Sequence, residues 1–401
     1  MKKLLSIALL AMIATTAAAQ KYMRIWQGGE STRIALQDIT YQNGGASFTA
    51  AGTTYSTAQV DSITIVKHIT VTFSGNTASV DMGNAGTADV TYTANGANVV
   101  MTNTNEKEEM EVELKGTSNS GSFTYYGTYK CKIHLNGLSL TSTTGAALDI
   151  QDGKRIDLIL TDGTDNTLVD AAGGEQKAAL YCKGHMEVSG TGNLTVTGNN
   201  RHAIATNEYL ELKKSTGTIN VRKAVGDAMH IEQYFQMNGG TVNLSGMGGD
   251  GIQAELKNNP DEELNGQILI KGGSINIDVT ADDTKGIKSD DLITISGGTF
   301  VINAKGAGSK GISAGTNMII NEDDAATTMT IAATGGVYED PETDDTSKCM
   351  GIKVTKDLTI SAGTITVTNT GRKSKGIKVD GTYYAKGGTV KANVDAAATR
   401  K

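Results

Sequence analysis

The chain has 401 residues, of which 49 are glycine and 2 are proline, and 38% of them are hydrophobic and 5% aromatic. Its formal net charge of −7 argues against nucleic acid and anionic membrane as partners. Three widely spaced cysteines match no zinc pattern and argue against a disulfide framework. Abundant glycine with threonine, asparagine, valine and isoleucine favours strands and tight turns over helices.

The first predicted element is an export signal at residues 1–19. Lys2 and Lys3 precede an apolar run, and an A-x-A cleavage site stands before Gln20. The run is too short to span a bilayer comfortably, and no second hydrophobic stretch follows it. We therefore expect no membrane span and a protein that is secreted, at the cell surface or periplasmic. Removal of both lysines would change the net charge from −7 to −9.

Two regions are predicted between the signal and the repeats. Residues 20–68 hold the only tryptophan, Trp26, and are expected to form a small N-terminal β segment. Residues 69–120 alternate apolar and polar positions, as in "ITVTFSG" and "MEVELKG". We expect residues 69–120 to be capping strands, because the open end of a stacked sheet would invite aggregation.

Residues 121–395 repeat one phrase, mostly at spacings of 23 to 25 residues. The clearest copy is "TKGIKSDDLITISGGTFVINA" at residues 284–304. An internal repeat of this size predicts a stacked array rather than separate domains. Each copy contains three short segments in which apolar and polar residues alternate, and a glycine turn precedes the third segment. We predict an all-β fold, a right-handed parallel β-helix of about ten rungs with three short strands per rung.

Alignment of the copies predicts which columns face the core. Each copy carries one apolar marker: Leu148, Leu180, Ile204, Met229, Ile252, Ile287, Ile312, Ile352 and Ile377. Cys182 falls in a second inward column and is interpreted as a buried packing thiol. Asn220, Asn243 and Asn276 recur in consecutive copies. This recurrence predicts a structural ladder of side-chain hydrogen bonds.

The order of several phrases resembles a known family. "IHLNGLSLTSTTGAALDIQDGKRIDLILTDGTDNTL", "AVGDAMHIEQYFQMNGGTVNL" and "GGDGIQAE" are similar to the secreted carbohydrate-binding β-helix family related to pectate-lyase-like folds. The resemblance covers roughly residues 69–395. It implies a calcium-binding parallel β-helix that binds plant-type polysaccharide, including acidic galacturonan and cellulose, and it does not imply catalysis. This chain departs where the usual "DGIH" is "DAMH" and the usual "HGIA" is "HAIA".

Acidic residues in adjacent copies suggest a cation site. Carboxylates stacked about 5 Å apart repel one another, so they need a cation or full solvation. Calcium accepts several carboxylate and carbonyl oxygens in loose geometry. We predict a calcium cofactor, and the alternative is a solvated acidic stripe. The predicted ligands are Asp227, Glu232, Asp250, Glu255 and Asp290. The acidic insertion "YEDPETDD" is a rival calcium location or a solvated loop.

Six residues are candidates for binding carbohydrate: Tyr209, Tyr234, His202, His230, Lys285 and Lys288. The tyrosines fall one rung apart and could stack on the C–H faces of sugars, or they could merely cover a turn. The histidines lie beside the acidic ladder. The lysines begin a basic stripe that could hold uronate carboxylates, or that could serve solubility by alternation of charge.

Three function classes follow. The favoured hypothesis is an exported, non-catalytic polysaccharide-binding protein, monomeric and calcium-assisted, whose ligand is acidic galacturonan or cellulose. A polysaccharide lyase is the alternative, and it would need a lysine or arginine base beside calcium-bound substrate. No arginine-rich catalytic constellation stands out, so no catalytic residue is assigned. The third class is a structural or adhesive rod at the cell surface.

Overall fold

The computed structural model describes residues 22–400 except 29, 38, 86, 87 and 259–261. The predicted signal at residues 1–19 lies outside the described residues. Among the described residues, no helix is long and apolar enough to cross a membrane. The chain divides into two units. The smaller comprises Met1–Thr70 with Asp81–Gly86, and the larger comprises Val71–Val80 with Thr87–Lys401.

The smaller unit contains two three-stranded antiparallel sheets, of order β2-β1-β6 and β3-β4-β5. Alternate residues of these strands point inward and form one hydrophobic cluster of Met23, Ile25, Phe48, Ala50 and Tyr55. A short 3-10 turn, Asn43–Gly45, joins β3 to β4. The strands are β1 (Tyr22–Gln27), β2 (Glu30–Ala35), β3 (Thr40–Gln42), β4 (Ser47–Ala50), β5 (Thr53–Ser56) and β6 (Ser62–Val66).

The remaining strands follow in chain order, and most have three to seven residues. They are β7 (His68–Ser74), β8 (Thr77–Asp81), β9 (Val90–Asn95), β10 (Asn98–Asn103), β11 (Met110–Ser118), β12 (Ser122–Tyr126), β13 (Cys131–Thr141), β14 (Leu148–Ile150), β15 (Ile156–Leu160), β16 (Asp165–Val169), β17 (Ala178–Cys182), β18 (Met186–Ser189), β19 (Asn193–Gly198), β20 (His202–Thr206), β21 (Leu210–Leu212), β22 (Thr218–Ala224), β23 (Met229–Ile231), β24 (Phe235–Met237), β25 (Thr241–Leu244), β26 (Ile252–Ala254), β27 (Ile268–Ile270), β28 (Ser274–Val279), β29 (Lys285–Ser289), β30 (Ile293–Ile295), β31 (Gly298–Ala304), β32 (Lys310–Ala314), β33 (Met318–Ile320), β34 (Thr327–Ala333), β35 (Val337–Glu339), β36 (Thr346–Lys348), β37 (Met350–Val354), β38 (Leu358–Ile360), β39 (Thr364–Asn369), β40 (Lys375–Ala385), β41 (Thr389–Lys391) and β42 (Val394–Arg400).

From β14 to β31, each strand pairs in parallel with the strand three positions further on. The antiparallel hairpin β35–β36 interrupts this order, after which β32, β33 and β34 pair with β37, β38 and β39. The pairing produces three parallel sheets, as in a β-helix-like fold. The first sheet contains β14, β17, β20, β23, β26, β29, β32, β37 and the start of β40. The second contains β15, β18, β21, β24, β27, β30, β33 and β38, and the third contains β16, β19, β22, β25, β28, β31, β34, β39 and β41.

The predicted marker column is confirmed by the register of the first sheet. Leu148 pairs with Leu180, Leu180 with Ile204, and the column continues in that order to Ile377. All nine markers are buried. One rung is one turn of three strands, and its length therefore equals the sequence period. Residues at equivalent positions of successive copies thus lie next to each other in the stack.

Two other predicted columns are also observed. Asn243 Nδ2 donates to Asn220 Oδ1 at 2.9 Å, and Asn276 Nδ2 donates to Asn243 Oδ1 at 2.8 Å. Cys182 is fully buried, and burial raises the pKa of its thiol to about 12. Parallel pairing begins earlier than residue 121, because β10 already pairs with β12 and β11 with β13.

Glycine turns connect the second sheet to the third. At Gly273 the backbone φ is +93°, and a Cβ there would lie 2.6 Å from the Gly240 carbonyl oxygen of the preceding rung. Only glycine tolerates both the left-handed conformation and this close approach. The "GG" signal in the repeat therefore marks a turn that fits between stacked rungs.

Candidate functional site

The predicted site residues fall on the outer side of the first sheet and at its two ends. One outward row runs through consecutive strands, since each strand turns alternate side chains away from the core. We call this row the first-sheet row, and it consists of His230, Gln253, Lys288, Ser313, Lys353 and Lys378. The first two members are buried beneath their neighbours, and the other four are half-buried.

His202, Asp227 and His230 form a buried cluster. The Asp227 backbone N–H donates to His202 Nδ1 at 3.0 Å, and His230 Nδ1 lies 2.8 Å from Asp227 Oδ2. The two imidazole rings stack with centroids 4.2 Å apart. Burial disfavours ionisation of Asp227, but its contacts with His202 and His230 and the hydrogen bond from the Asp250 N–H outweigh this cost and hold its pKa well below the usual range. Burial lowers the pKa of His202, so that this ring is neutral near pH 7.

The donor atoms of this cluster lie within 4.8 Å of one another, which raises the question of a metal ion. Two imidazoles and a carboxylate would suit a transition metal better than calcium. However, the Nδ1 lone pair of His202 already accepts the Asp227 N–H. The ring planes differ by only 14°, so their lone pairs point side by side rather than toward a common point. The geometry is that of a hydrogen-bonded clamp between two rungs.

The buried carboxylates of Asp227 and Asp250 connect successive rungs by accepting backbone N–H groups. Asp227 Oδ1 accepts the Asp250 N–H at 2.7 Å, and Asp250 Oδ1 accepts the Lys285 N–H at 2.7 Å. Lys288 Nζ lies 3.7 Å from the second oxygen of Asp250. Asp227 is 7% exposed and Asp250 is 8% exposed. One oxygen of each carboxylate therefore accepts an N–H group of the next rung, and the other oxygen faces His230 in Asp227 and Lys288 in Asp250.

The other three predicted calcium ligands are also engaged separately. Glu232 pairs with Lys177, and Asp290 lies 3.9 Å from Lys288 Nζ. Glu255 accepts a hydrogen bond from Gln253 at 2.7 Å. Calcium needs six to eight converging oxygens. The five predicted ligands therefore do not fit one shared calcium ion.

An open acidic cleft adjoins the first-sheet row. Its volume is about 490 Å³, and it is lined by Glu232, Glu255, Leu256, Lys257, Asn258 and Glu262. Lys257 pairs with Glu208 at 2.8 Å, and Gln233 donates to Glu262 at 3.1 Å. Within the described residues, much of the negative charge around this cleft is thus already matched by donors.

The two tyrosines stack on each other at the turn before the second sheet. The centroids of Tyr209 and Tyr234 are 4.8 Å apart with planes 19° apart, and His185 lies 4.6 Å from Tyr209 on the other side. Tyr209 also donates to Glu187 at 3.0 Å. Both faces of Tyr209 are covered, so this residue offers a sugar the edge of its ring and not a stacking surface.

The lysines of the predicted basic stripe are each paired with an aspartate. Lys285 Nζ lies 3.6 Å from Asp283, and Lys378 Nζ lies 3.4 Å from Asp395. Lys353 likewise pairs with Asp380. Because lysines and aspartates alternate, any uronate carboxylate on this surface must exchange with an aspartate.

A second charged row lies on the second sheet and was missed by the sequence reasoning. Asp157, Glu187 and Glu211 stack in register. Lys213 lies 2.9 Å from both glutamates, and these carboxylates raise its pKa although burial opposes the shift. The signal was present, since "IDLIL", "MEVS" and "LEL" each carry an acid at the second position of the strand.

Comparisons with known proteins agree with this architecture. Residues 95–397 match the family described as "Carbohydrate-binding domain-containing protein". A curated protein of that description from Acetivibrio thermocellus is 29% identical over 133 residues, which are 28% of this chain and 46% of that protein. The chain thus spans about half the length of this curated relative.

A solved structure shows the same fold. It is the polysaccharide lyase-like protein from C. thermocellum in a gadolinium derivative, with a TM-score of 0.53 at 23% identity. The match covers 64% of this chain and 98% of that chain. The family match extends over most of the sequence and includes the whole of the described site. The chain therefore belongs to the carbohydrate-binding domain-containing protein family.

Proposed function

We propose that this protein is an exported, non-catalytic polysaccharide-binding protein whose ligand lies along the first-sheet row. One observation carries the proposal. Lys288, Ser313, Lys353 and Lys378 follow one another in successive rungs, each with an N–H or O–H donor. The sheet spacing of about 4.8 Å repeats these donors regularly, as a linear polymer with regular acceptors requires.

We propose an acidic glycan of the galacturonan type as the ligand. Each lysine side chain lies beside at least one carboxylate, and burial of about two thirds to four fifths of each side chain orients its ammonium group. A uronate carboxylate can replace an aspartate partner without leaving a lysine unpaired. Because such partly exposed pairs are weakened by salt, binding should weaken as ionic strength rises.

Chemical features of the site support binding rather than lyase activity. A lyase base must be unprotonated to remove the proton next to the uronate carboxylate. Carboxylate neighbours raise the pKa of both Lys213 and Arg155 although burial opposes the shift, so both stay charged. Burial lowers the pKa of Lys310, but its ammonium pairs with Asp283 at 2.9 Å. His202 is neutral but only 3% exposed.

Two finer features belong to the same proposal. We infer a right-handed coil of about ten rungs, because short strands with this period stack in that way. Calcium assistance stays a prediction. Since the five predicted ligands each have another partner, no step of binding is assigned to the ion.

Affinity electrophoresis tests the proposal. The full mature chain is run in gels cast with polygalacturonate, with calcium or with a chelator, and the polysaccharide is then stained. We expect retardation and an intact track. The triple variant Lys288→Ala/Lys353→Ala/Lys378→Ala should lose the retardation. The control Lys130→Ala/Lys183→Ala/Lys214→Ala removes the same charge from exposed positions and should keep it.

Other results have distinct meanings. A cleared track would show depolymerisation and establish the lyase alternative. An equal loss of retardation in both triple variants would indicate a non-specific charge effect. It would contradict the proposal that the acidic glycan binds along the first-sheet row. Absence of retardation in every gel would exclude acidic galacturonan and leave the structural rod or another glycan. A difference between the calcium and chelator gels decides whether calcium assists.

A further inference from the structure

The outer row of the second sheet changes its chemical character along the stack. An acidic stretch of Asp157, Glu187 and Glu211 is followed by six uncharged residues and then by Arg400. In chain order the uncharged members are Gln236, Leu269, Thr294, Ile319, Thr359 and Tyr384. We call the row from Asp157 to Arg400 the second-sheet row.

The middle of the second-sheet row contains aliphatic side chains that point away from the core. Leu269 and Ile319 are half-buried, so part of each side chain faces solvent. They lie one rung on either side of Thr294. Outward aliphatic side chains of this kind gain free energy when a second surface removes them from water.

The two ends of the second-sheet row differ in charge. At the acidic end, Lys213 lies 2.9 Å from each of the two glutamates, so one ammonium group serves two carboxylates. At the other end, Lys386 Nζ and Arg400 Cζ lie 5.7 and 6.0 Å from the centroid of the Tyr384 ring. In the part of the chain that the structure describes, neither of these two cations forms an ion pair. One end therefore has an excess of carboxylates and the other an excess of cations.

These features are complementary to themselves about Thr294. Four rungs separate Thr294 from Glu187, and four rungs separate it from Arg400. A two-fold axis parallel to the strands at Thr294 would place Arg400 of a second copy over Glu187. The same axis would place Ile319 of the second copy over Leu269. An isologous interface requires such matching, because every residue pair in it occurs twice.

We propose that the second-sheet row is a self-association surface, through which two copies of the chain pair face to face and antiparallel. The row from Glu187 to Arg400 is about 38 Å long, and the outer face of its strands is about 15 Å wide. It would cover about 600 Å² on each copy, which is at the low end for specific interfaces. The dimer is therefore weak and reversible, with a dissociation constant of about 1–100 µM. It would replace the monomer expected from the sequence, and it does not depend on the proposed function, since the first-sheet row lies on another side of the coil.

Sedimentation velocity of the full mature chain over a series of concentrations measures the association. Ile319→Lys places a charge in the aliphatic middle of the row. It should raise the dissociation constant about tenfold or more, because the ammonium group would lose water against the partner's Leu269. Val301→Lys is the matched control on the third sheet, where Val301 is 41% exposed, and it should leave the dissociation constant unchanged. Circular dichroism verifies that both variants are folded.

Exchange of the charges at the two ends tests the antiparallel geometry. Arg400→Glu and Glu187→Lys should each raise the dissociation constant about threefold or more, because like charges would then meet across the interface. When the two single variants are mixed in equal amounts, they should pair with each other about as strongly as wild type. In that mixed dimer, both contacts between positions 187 and 400 join opposite charges. Added salt should weaken the wild-type dimer.

Three outcomes would overturn the inference. Wild type could sediment as a monomer at every concentration up to about 0.5 mM, which would exclude the dimer. Ile319→Lys could leave the association unchanged, or Val301→Lys could weaken it equally, and either result would show that the second-sheet row is not the interface. The mixture of the two single variants could associate no better than each variant alone, which would contradict the antiparallel two-fold arrangement.

Discussion

The buried aspartates Asp227 and Asp250 lie one rung apart, yet their replacement by asparagine should have different effects. In Asp227→Asn the amide oxygen can still accept the Asp250 N–H, but the amide NH₂ replaces the oxygen that faces His230 Nδ1 at 2.8 Å. A hydrogen bond to a buried charged group contributes about 1.5–3 kcal/mol. A change of the His230 tautomer can recover part of this loss. We therefore expect Asp227→Asn to lower the free energy of unfolding by about 2 kcal/mol at pH 7.

Asp250 is the matched control. Burial raises its pKa, so the ionised form is disfavoured in the folded protein. Asp250→Asn keeps an acceptor for the Lys285 N–H and loses only a 3.7 Å contact with Lys288. We expect a change within about 1 kcal/mol, of either sign, because removal of a buried charge offsets the lost contact.

The pH dependence of stability has opposite signs at the two sites. The folded pKa of Asp227 is depressed, so its contribution is fully present above the ordinary pKa of 3.8 and is lost as pH falls through the folded value. The penalty of Asp227→Asn should therefore still be present at pH 5. The folded pKa of Asp250 is raised, so its ionisation costs stability above that value, and the cost disappears as pH falls.

Urea unfolding of the full chain, followed by far-ultraviolet circular dichroism, measures both effects. Fluorescence of Trp26, the only tryptophan of the chain, follows the unfolding of the smaller unit separately. Equal destabilisation by the two variants would refute the reasoning, and so would a loss below about 0.5 kcal/mol for Asp227→Asn.

Three further predictions concern the stack. Asn243→Asp keeps an acceptor but removes the donor to the preceding rung, and it should lower the free energy of unfolding by about 1 kcal/mol in urea. Asn220→Asp should change it less, because Asn220 only accepts in this ladder. Gly273→Ala should lower the free energy of unfolding by about 2 kcal/mol or more, because its φ is positive and a Cβ would lie 2.6 Å from the Gly240 oxygen. Gly336→Ala should be nearly neutral, because a Cβ there would have no atom within 4 Å. Equal shifts of the melting temperature in the two variants would contradict this. Cys182 should resist a thiol reagent in the native state and react only on unfolding, since burial raises its pKa to about 12; rapid native labelling would disprove the packing role.

The order of the stack could be predicted from sequence because it depends on period alone. Equal spacing of the markers places Leu180 on Leu148 and Ile204 on Leu180, and the observed register agrees. Alternation within each strand then separates core from surface, which is why Asn243 was expected in a ladder and Cys182 in the core. These features are local or strictly periodic, so no tertiary information was needed.

The candidate site could be predicted only in part. Asp227 and Asp250 were recognised as neighbours, but their burial and their hydrogen-bond partners were not. Each of them precedes a strand. At such a corner, the alternation of inward and outward side chains that holds within a strand no longer predicts which residues are buried. At the other end of β23, the partner of Glu232 is a distant residue, since Lys177 reaches it from 55 positions earlier in the chain.

The sequence by itself determined the all-β class, the rung length, the register of the first sheet and the identity of the inward columns. Only the tertiary structure decided that Asp227 is held between His202 and His230, and that the two tyrosines cover each other. The physical reason is that periodicity specifies which residues stack. The contacts that a polar side chain makes at a corner depend on the packing of several rungs at once.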